Sequence, residues 1–310
     1  MRIVFMGTPK FSVNVLEGLI DNYDVVGVVC QPDKEVGRKH ILTPCPVKEV
    51  ALKNNIKVIQ PKRIREEYDE ILDLNPDMIV TCAYGQIIPS EILNYPKFGC
   101  INVHASLLPK YRGGAPIHRS IINGDKVTGI TIMYMDEGMD TGDIISKREV
   151  VIEDEYDLET LSDKLSICGT KLLLETIPNI VEGKNDRIKQ DDKLVTYAYN
   201  IDSNDEHIDF NNNSKDIYNL IRGLSPSIGA YFLLDGERFK VYKAKIGTNK
   251  LGVGKISIYK DSIGIGTKDG EILLLEVQPM GKKKMDIKSY LNGIKKEEFI
   301  KRKIGWRIIV

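Results

Sequence analysis

Apolar residues in the first 190 positions come in short unbroken runs, separated by stretches that are apolar at every third or fourth position. Unbroken runs bounded by turn residues mark strands buried on both faces, and the longer period marks helices packed against them. Arg2–Met6, Val25–Cys30, Met78–Cys82 and Cys100–Val103 are predicted strands, with a short one at Val58–Ile59. Ile130–Met135 and Ile144–Val151 add two more. Pro9–Ile20 is a predicted helix with its proline in the first turn, where a missing N–H costs nothing. Val47–Asn54 and Leu158–Val181 are predicted helices, and Arg63–Leu74 is amphipathic. Gln31–Pro46, rich in proline, glycine and charge, is predicted as a loop. This alternation implies an α/β fold with a doubly wound, mostly parallel, Rossmann-like sheet. Ligands bind such sheets beyond the carboxyl ends of the strands, so each polar cluster that follows a strand is a candidate site.

After about residue 190 the pattern changes. Gln190–Lys193 and Asp202–Glu206 are polar, and Asp216–Arg222 is a short predicted helix. Closely spaced strands follow at Ala230–Leu234, Phe239–Ala244, Lys255–Tyr259, Ile263–Thr267 and Ile272–Val277, joined by tight turns such as Asp235-Gly236 and Asp269-Gly270. They predict a small β-barrel of the OB-like kind that often holds nucleic acid or oligosaccharide. The expected division is a domain at 1–189, a linker at 190–207 and a second domain at 208–310.

With 310 residues, two domains are the natural expectation, and 42% apolar with 28% charged residues suits a globular chain. No apolar run approaches the roughly 18 residues of a membrane span, and the apolar start is too short for a signal segment, so no membrane partner is expected. Five cysteines without a CxxC pair suit a reducing cytoplasm. Cys82, Cys100 and His104 could be assembled into a zinc set, but lone cysteines inside apolar runs are usually core, and no metal is expected. The net charge of zero hides an asymmetry. Residues 1–207 hold 24 Lys and Arg against 33 Asp and Glu, a net −9, while residues 208–310 hold 20 against 11, a net +9. A basic tail with Lys282, Lys283, Lys284 and the runs to Lys303 on a small barrel points to a polyanion.

Two polar clusters follow strands. Asn102 and His104 lie two apart, so on an extended strand they share one face, an amide beside an imidazole able to stabilise an oxyanion and handle a proton. The loop behind them, with Pro109, Gly113, Gly114 and Pro116, has a fixed path. The bland alternative is a strand end with a hydrogen-bonded histidine, and local sequence does not separate the two. The second cluster, Met135–Asp143, gathers three Asp and one Glu around two glycines. A carboxylate there could orient His104 and make it a better acid. The alternative is a polar turn with solvated carboxylates. An EF-hand is excluded by the missing helix and distant Glu. Gly7-Thr8-Pro9 is not a GxGxxG fingerprint, and neither a P-loop nor a GxSxG elbow is present.

Together, Gly7-Thr8-Pro9-x-Phe11, Ile101–Pro109, Arg112-Gly113-x-Ala115-Pro116-Ile117 and Met135-Asp136-x-Gly138-x-Asp140-Thr141-Gly142-Asp143 resemble the methionyl-tRNA formyltransferase family. The resemblance covers nearly the whole chain, including Val195–Ala198, Ile208-Asp209 and Gln278-Pro279-x-Gly281-Lys282-Lys283. It implies formyl transfer from 10-formyltetrahydrofolate, a folate co-substrate, to the amino group of initiator methionyl-tRNA, by a monomer in the cytoplasm. It implies a catalytic trio of Asn102, His104 and Asp140, folate contacts at Ser106, Leu107, Leu108 and Pro109 and at Gln86, Ile87 and Ile88, and tRNA contacts at Arg38, Lys39, Lys282, Lys283 and Lys284. The departures touch the tRNA side. The loop Gly37–Ile41 has one basic residue fewer than the family commonly shows, a tryptophan common near Ser225–Ile228 is absent, and Asn200 stands where a lysine is common. The rivals are a folate enzyme that formylates an amino-sugar nucleotide or glycinamide ribonucleotide, and a non-catalytic folate- or RNA-binding module.

Overall fold

The structure, a computed structural model, describes residues 1–37 and 40–305, so Arg38 and Lys39 lie outside the described residues. The strands in chain order are β1 (Arg2–Gly7), β2 (Asp24–Val29), β3 (Lys34–Val36), β4 (Ile41–Thr43), β5 (Val58–Ile59), β6 (Met78–Cys82), β7 (Cys100–His104), β8 (Val127–Tyr134) and β9 (Ile144–Val151). The second part adds β10 (Ala230–Leu234), β11 (Glu237–Ile246), β12 (Ile256–Ile258), β13 (Ile263–Gly266), β14 (Glu271–Pro279), β15 (Met285–Asp286) and β16 (Ile304–Gly305). The chain divides into two compact units, one of Met1–Pro116, Val127–Val151 and Ser162–Tyr199, the other of Ile117–Lys126, Ile152–Leu161 and Asn200–Val310.

In the first unit a seven-stranded sheet runs in the order β5-β2-β1-β6-β7-β8-β9. The first five of these strands are parallel, while β8 and β9 pair antiparallel. Ile3, Val4, Phe5 and Met6 of β1 are all fully buried, which explains an unbroken apolar run: both faces of the central strand are covered. The edge strand β9 instead alternates half-buried and exposed positions along its length after Ile145, the mark of one partly covered face. One core layer gathers Val4, Met6, Val29, Ile79, Tyr84, Ile88 and Ile92. The proline, glycine and charge of Gln31–Pro46, read as a loop, conceal the hairpin β3–β4, whose three-residue strands are too short to show a period. Of the amphipathic stretch Arg63–Leu74, only Asp69–Leu72 is helical.

The second unit holds an antiparallel sheet in the order β12-β13-β14-β11-β10-β16, with β15 on β14, curled into a half-barrel around Phe210, Phe232, Phe239, Val241, Leu274 and Val277. All five strands predicted beyond residue 190 are present as β10 to β14. The two units do not inherit the charge division read along the chain. Ile152–Leu161 belongs to the second unit and brings Glu153, Asp154, Glu155, Asp157 and Glu159 with it. The first unit therefore holds 22 Lys and Arg against 24 Asp and Glu, and the second 22 against 20, giving nets of −2 and +2. The basic surplus is concentrated along the chain in residues 282–303, where Lys284, Lys288, Lys295 and Arg302 are themselves paired with carboxylates, and is not domain-wide.

Candidate active site at the carboxyl end of the seventh strand

Strand register places the first two groups. Asn102 stands opposite Thr81 on β6 and Met133 on β8, and His104 stands opposite Thr131. Being two apart on β7, both side chains leave the same face. Asp140 comes from the loop between β8 and β9 and has a positive φ of 55°, a left-handed conformation that Asp tolerates better than most residues. Its Oδ1 lies 3.4 Å from Asn102 Nδ2 and 3.6 Å from His104 Nδ1, so an amide nitrogen and an imidazole nitrogen meet on one carboxylate oxygen. The other oxygen accepts the Gly113 N–H at 2.8 Å. The imidazole is 6% exposed and the carboxylate 16%, so their interactions are only weakly screened by solvent.

The hydrogen bonds also settle orientations. A carboxylate only accepts, so Asn102 turns its Nδ2 toward Asp140 and its Oδ1 toward Thr81, whose hydroxyl donates at 2.9 Å. His104 Nε2 lies 2.9 Å from the Tyr111 carbonyl oxygen, which can only accept, so Nε2 carries a proton. Nδ1, beside Asp140, is the nitrogen that can exchange a proton with a substrate. Two glycines are required by close approach. A Cβ on Gly113, at φ +116°, would meet the Ala198 carbonyl oxygen at 3.0 Å, and one on Gly142 would collide with the Tyr134 carbonyl oxygen.

The residues expected at a folate are split by burial. Ile87, in the loop after β6, is 65% exposed, whereas Ile88 is buried in the core layer. Gln86 accepts from the Ile64 N–H and donates to the Pro61 carbonyl, which fixes that loop. In the loop after β7, Ser106 Oγ donates to the Lys110 carbonyl at 2.6 Å, Leu108 is buried against Met133 and Ile144, and Leu107 is half-buried before Pro109. Thr131 Oγ1 ties this loop to β8 by donating to the Ser106 carbonyl and accepting the Leu108 N–H. Burial pushes the Cys82 thiol up to about 12 and the Tyr84 hydroxyl well above its usual range, so neither ionises near neutrality. Among the described residues, no group of three or more His, Cys, Asp or Glu is placed to hold a metal ion. In the second unit Lys282, Lys283 and Lys284 are exposed in the turn after β14, and Lys284 faces Glu276 at 3.5 Å.

Gln190 stands in the polar stretch that the sequence pattern predicts as linker, with no local sign of a role at the site. Its Nε2 donates to the carbonyls of Asp140 and Gly142, both at 2.8 Å, and its Oε1 accepts from Arg112 Nε at 3.0 Å. It thereby clamps the Asp140 loop to the loop after β7. Nothing local marks a polar residue 50 positions away from its partner. We expect Gln190→Ala to lower kcat about tenfold with little change in substrate KM, since it loosens Asp140 without removing a reacting group. Steady-state kinetics with each substrate varied in turn checks this.

The family described as "Formyl transferase" matches residues 1–177, and "Formyl transferase, C-terminal domain" matches residues 200–295. The chain is 51% identical over 299 residues to a methionyl-tRNA formyltransferase of Bacillus subtilis, covering 94% of each chain. It is 48% identical over 300 residues to the enzyme of that name from Pediococcus pentosaceus, again covering 94% of each. A solved N-formyltransferase from Helicobacter canadensis, in complex with folinic acid and dTDP-3-aminofucose, shares the fold, with a TM-score of 0.65, 24% identity, and coverage of 89% of this chain and 98% of that one.

Proposed function

The chain belongs to the formyl transferase family, and on that premise we propose that it transfers a formyl group from 10-formyltetrahydrofolate to the α-amino group of initiator methionyl-tRNA. The observation that carries the chemistry is the meeting of Asn102 Nδ2 and His104 Nδ1 on one oxygen of Asp140, in a site with little solvent. The near 50% identity over 94% of the chain to methionyl-tRNA formyltransferases supports this acceptor over an amino sugar.

The residues present fit a folate donor. The exposed apolar face of Ile87 stands on a loop fixed by Gln86, and the backbone of that loop is polar, as a flat heterocycle with hydrogen-bonding edges requires. Gln86, Ile87 and Ile88 would hold it from the β6 side, with Ile88 acting from the core, and Ser106–Pro109 from the β7 side. When bound, it supplies a formyl carbon open to attack by an amine. As the amine adds, charge develops on the formyl oxygen. Asn102 Nδ2 has two hydrogens and spends one on Asp140, which leaves the second for that oxygen. His104 Nδ1–H is the second donor when the ring is protonated, and Asp140 offsets the imidazolium charge. Such donors, fixed beforehand where water is scarce, are each worth about 2.7–4 kcal/mol of barrier. Asp140 takes the proton from the attacking amine, and as the bond between the formyl carbon and the leaving nitrogen breaks, His104 Nδ1–H gives its proton to that nitrogen; the proton on Asp140 then returns to Nδ1. The test is to incubate the protein with both substrates, hydrolyse the aminoacyl ester and look for N-formylmethionine. Recovery of methionine alone sinks the reading.

The basic patch of the second unit serves the tRNA phosphates, with Lys282, Lys283 and Lys284 as contacts and Arg38 and Lys39 as further ones from the first unit. The logarithm of tRNA affinity should fall linearly with the logarithm of salt concentration, and K282Q/K283Q/K284Q should flatten the slope by about one for each phosphate no longer neutralised. Filter binding across a salt series measures it, and an unchanged slope removes the patch from the interface.

A further inference from the structure

We propose that Tyr197 and Tyr199 form a stacking platform for the unpaired 3′-terminal bases of the charged tRNA. The proposal rests on methionyl-tRNA being the acceptor. The two rings lie nearly parallel, 12° apart with centroids 5.7 Å from each other, yet they are 50% and 65% exposed. Large aromatic side chains held together at a surface are the usual anchors of a binding face, because Tyr offers a large contact area with few rotamers to freeze.

The platform is fixed in place and close to the site. Its segment runs beside the loop that follows β7. Arg112 N–H donates to the Thr196 carbonyl, Ala198 N–H to the Arg112 carbonyl, and Ala115 N–H to the Ala198 carbonyl, at 2.8–2.9 Å. Tyr111 N–H donates to Thr196 Oγ1 at 2.9 Å, and the carbonyl of the same Tyr111 accepts from His104 Nε2. Ala198 points inward and is fully buried, so the residues on either side of it, Tyr197 and Tyr199, project the other way. The strip carrying the rings is thus hydrogen-bonded to the residue that holds the imidazole.

The chemistry of the acceptor favours bases as the occupant. The reacting amine hangs from the terminal ribose through one amino acid, so the terminal bases must lie beside the site whenever the amine is in it. Every base has a π-face, and stacking on an aromatic ring tolerates any sequence. The folate contacts proposed above lie on the loops after β6 and β7 and include neither ring of this strip.

Tyr197→Ala and Tyr199→Ala should each raise KM for methionyl-tRNA about tenfold, with kcat within about twofold and KM for the folate donor unchanged. Tyr199→Phe should restore the wild-type KM, since the ring is kept. The direct reading uses an uncharged acceptor-helix RNA with 2-aminopurine in its unpaired 3′ end. Wild type should quench the probe, Y197A/Y199A should not, and a blunt-ended duplex should bind both alike. Wild-type KM and quenching in the alanine variants would overturn the proposal, as would a rise in the donor KM in place of the tRNA KM. If the wild type does not formylate methionyl-tRNA at all, the acceptor reading falls, and the quenching still decides the platform separately.

Discussion

His104→Ala should lower kcat for formyl transfer at least about a hundredfold while methionyl-tRNA binding stays within a few-fold of wild type. General acid–base groups supply roughly 10²–10⁴ in rate, and an oxyanion donor a comparable amount. In the proposed mechanism His104 Nδ1, beside Asp140, serves both purposes, so its loss should reach the transition state and spare the groups proposed to hold the tRNA. The variant also strips the Tyr111 carbonyl of its donor, at a cost of about 1–3 kcal/mol in stability if nothing replaces it. His104→Asn separates the two roles: an amide can still donate near the Nδ1 position but cannot carry a proton. Its rate should fall between those of wild type and His104→Ala. Single-turnover kinetics, with tRNA affinity and a thermal melt measured in parallel, distinguishes lost chemistry from lost structure.

Asp140→Asn should lower kcat about 10²–10³-fold and leave the fold intact. Asn is among the residues that most readily accept the left-handed backbone at this position, and its carbonyl can still take the Gly113 N–H. What it loses is charge. The new amide nitrogen would face Asn102 Nδ2, a donor against a donor, and could not accept from His104 Nδ1–H once the ring is protonated. The imidazolium would have no counter-charge, and Asn102 would keep only the Thr81 hydroxyl to orient it. Asp140→Ala adds the backbone cost that Asn avoids and should melt earlier. Near-normal turnover in Asp140→Asn would remove the carboxylate from the mechanism.

How much of this was legible in the chain depends on how local each signal is. The strand Cys100–His104 and the two-residue spacing of Asn102 and His104 could be read directly, because an apolar run and a period of two are local facts. The same holds for β10 to β14 with their tight turns. Whether the two polar clusters meet was not a local question. The resemblance supplied that pairing as an implication, and it takes the position of β8 beside β7 to carry the Asp140 loop to His104. Gln190 and Thr81 were missed for the same reason: one acts across 50 positions and the other across 21 by strand register. The charge split misled because chain order is not spatial order. The acidic segment 152–161 and the acids Asp202, Asp205 and Glu206 join the second unit, and with the one net positive charge of Ile117–Lys126 they reduce the surplus of +9 to +2, so a concentration of basic residues at 282–303 remains where a basic domain was expected.

The central claim is that this site formylates the amine of methionyl-tRNA, and acceptor discrimination tests it most directly. With 10-formyltetrahydrofolate as donor, kcat/KM should be measured for charged initiator methionyl-tRNA and for a dTDP-linked amino sugar. Rapid formylation of the tRNA, abolished in His104→Ala, and no measurable transfer to the sugar are expected. Formylation of the sugar nucleotide with methionyl-tRNA left untouched would contradict it.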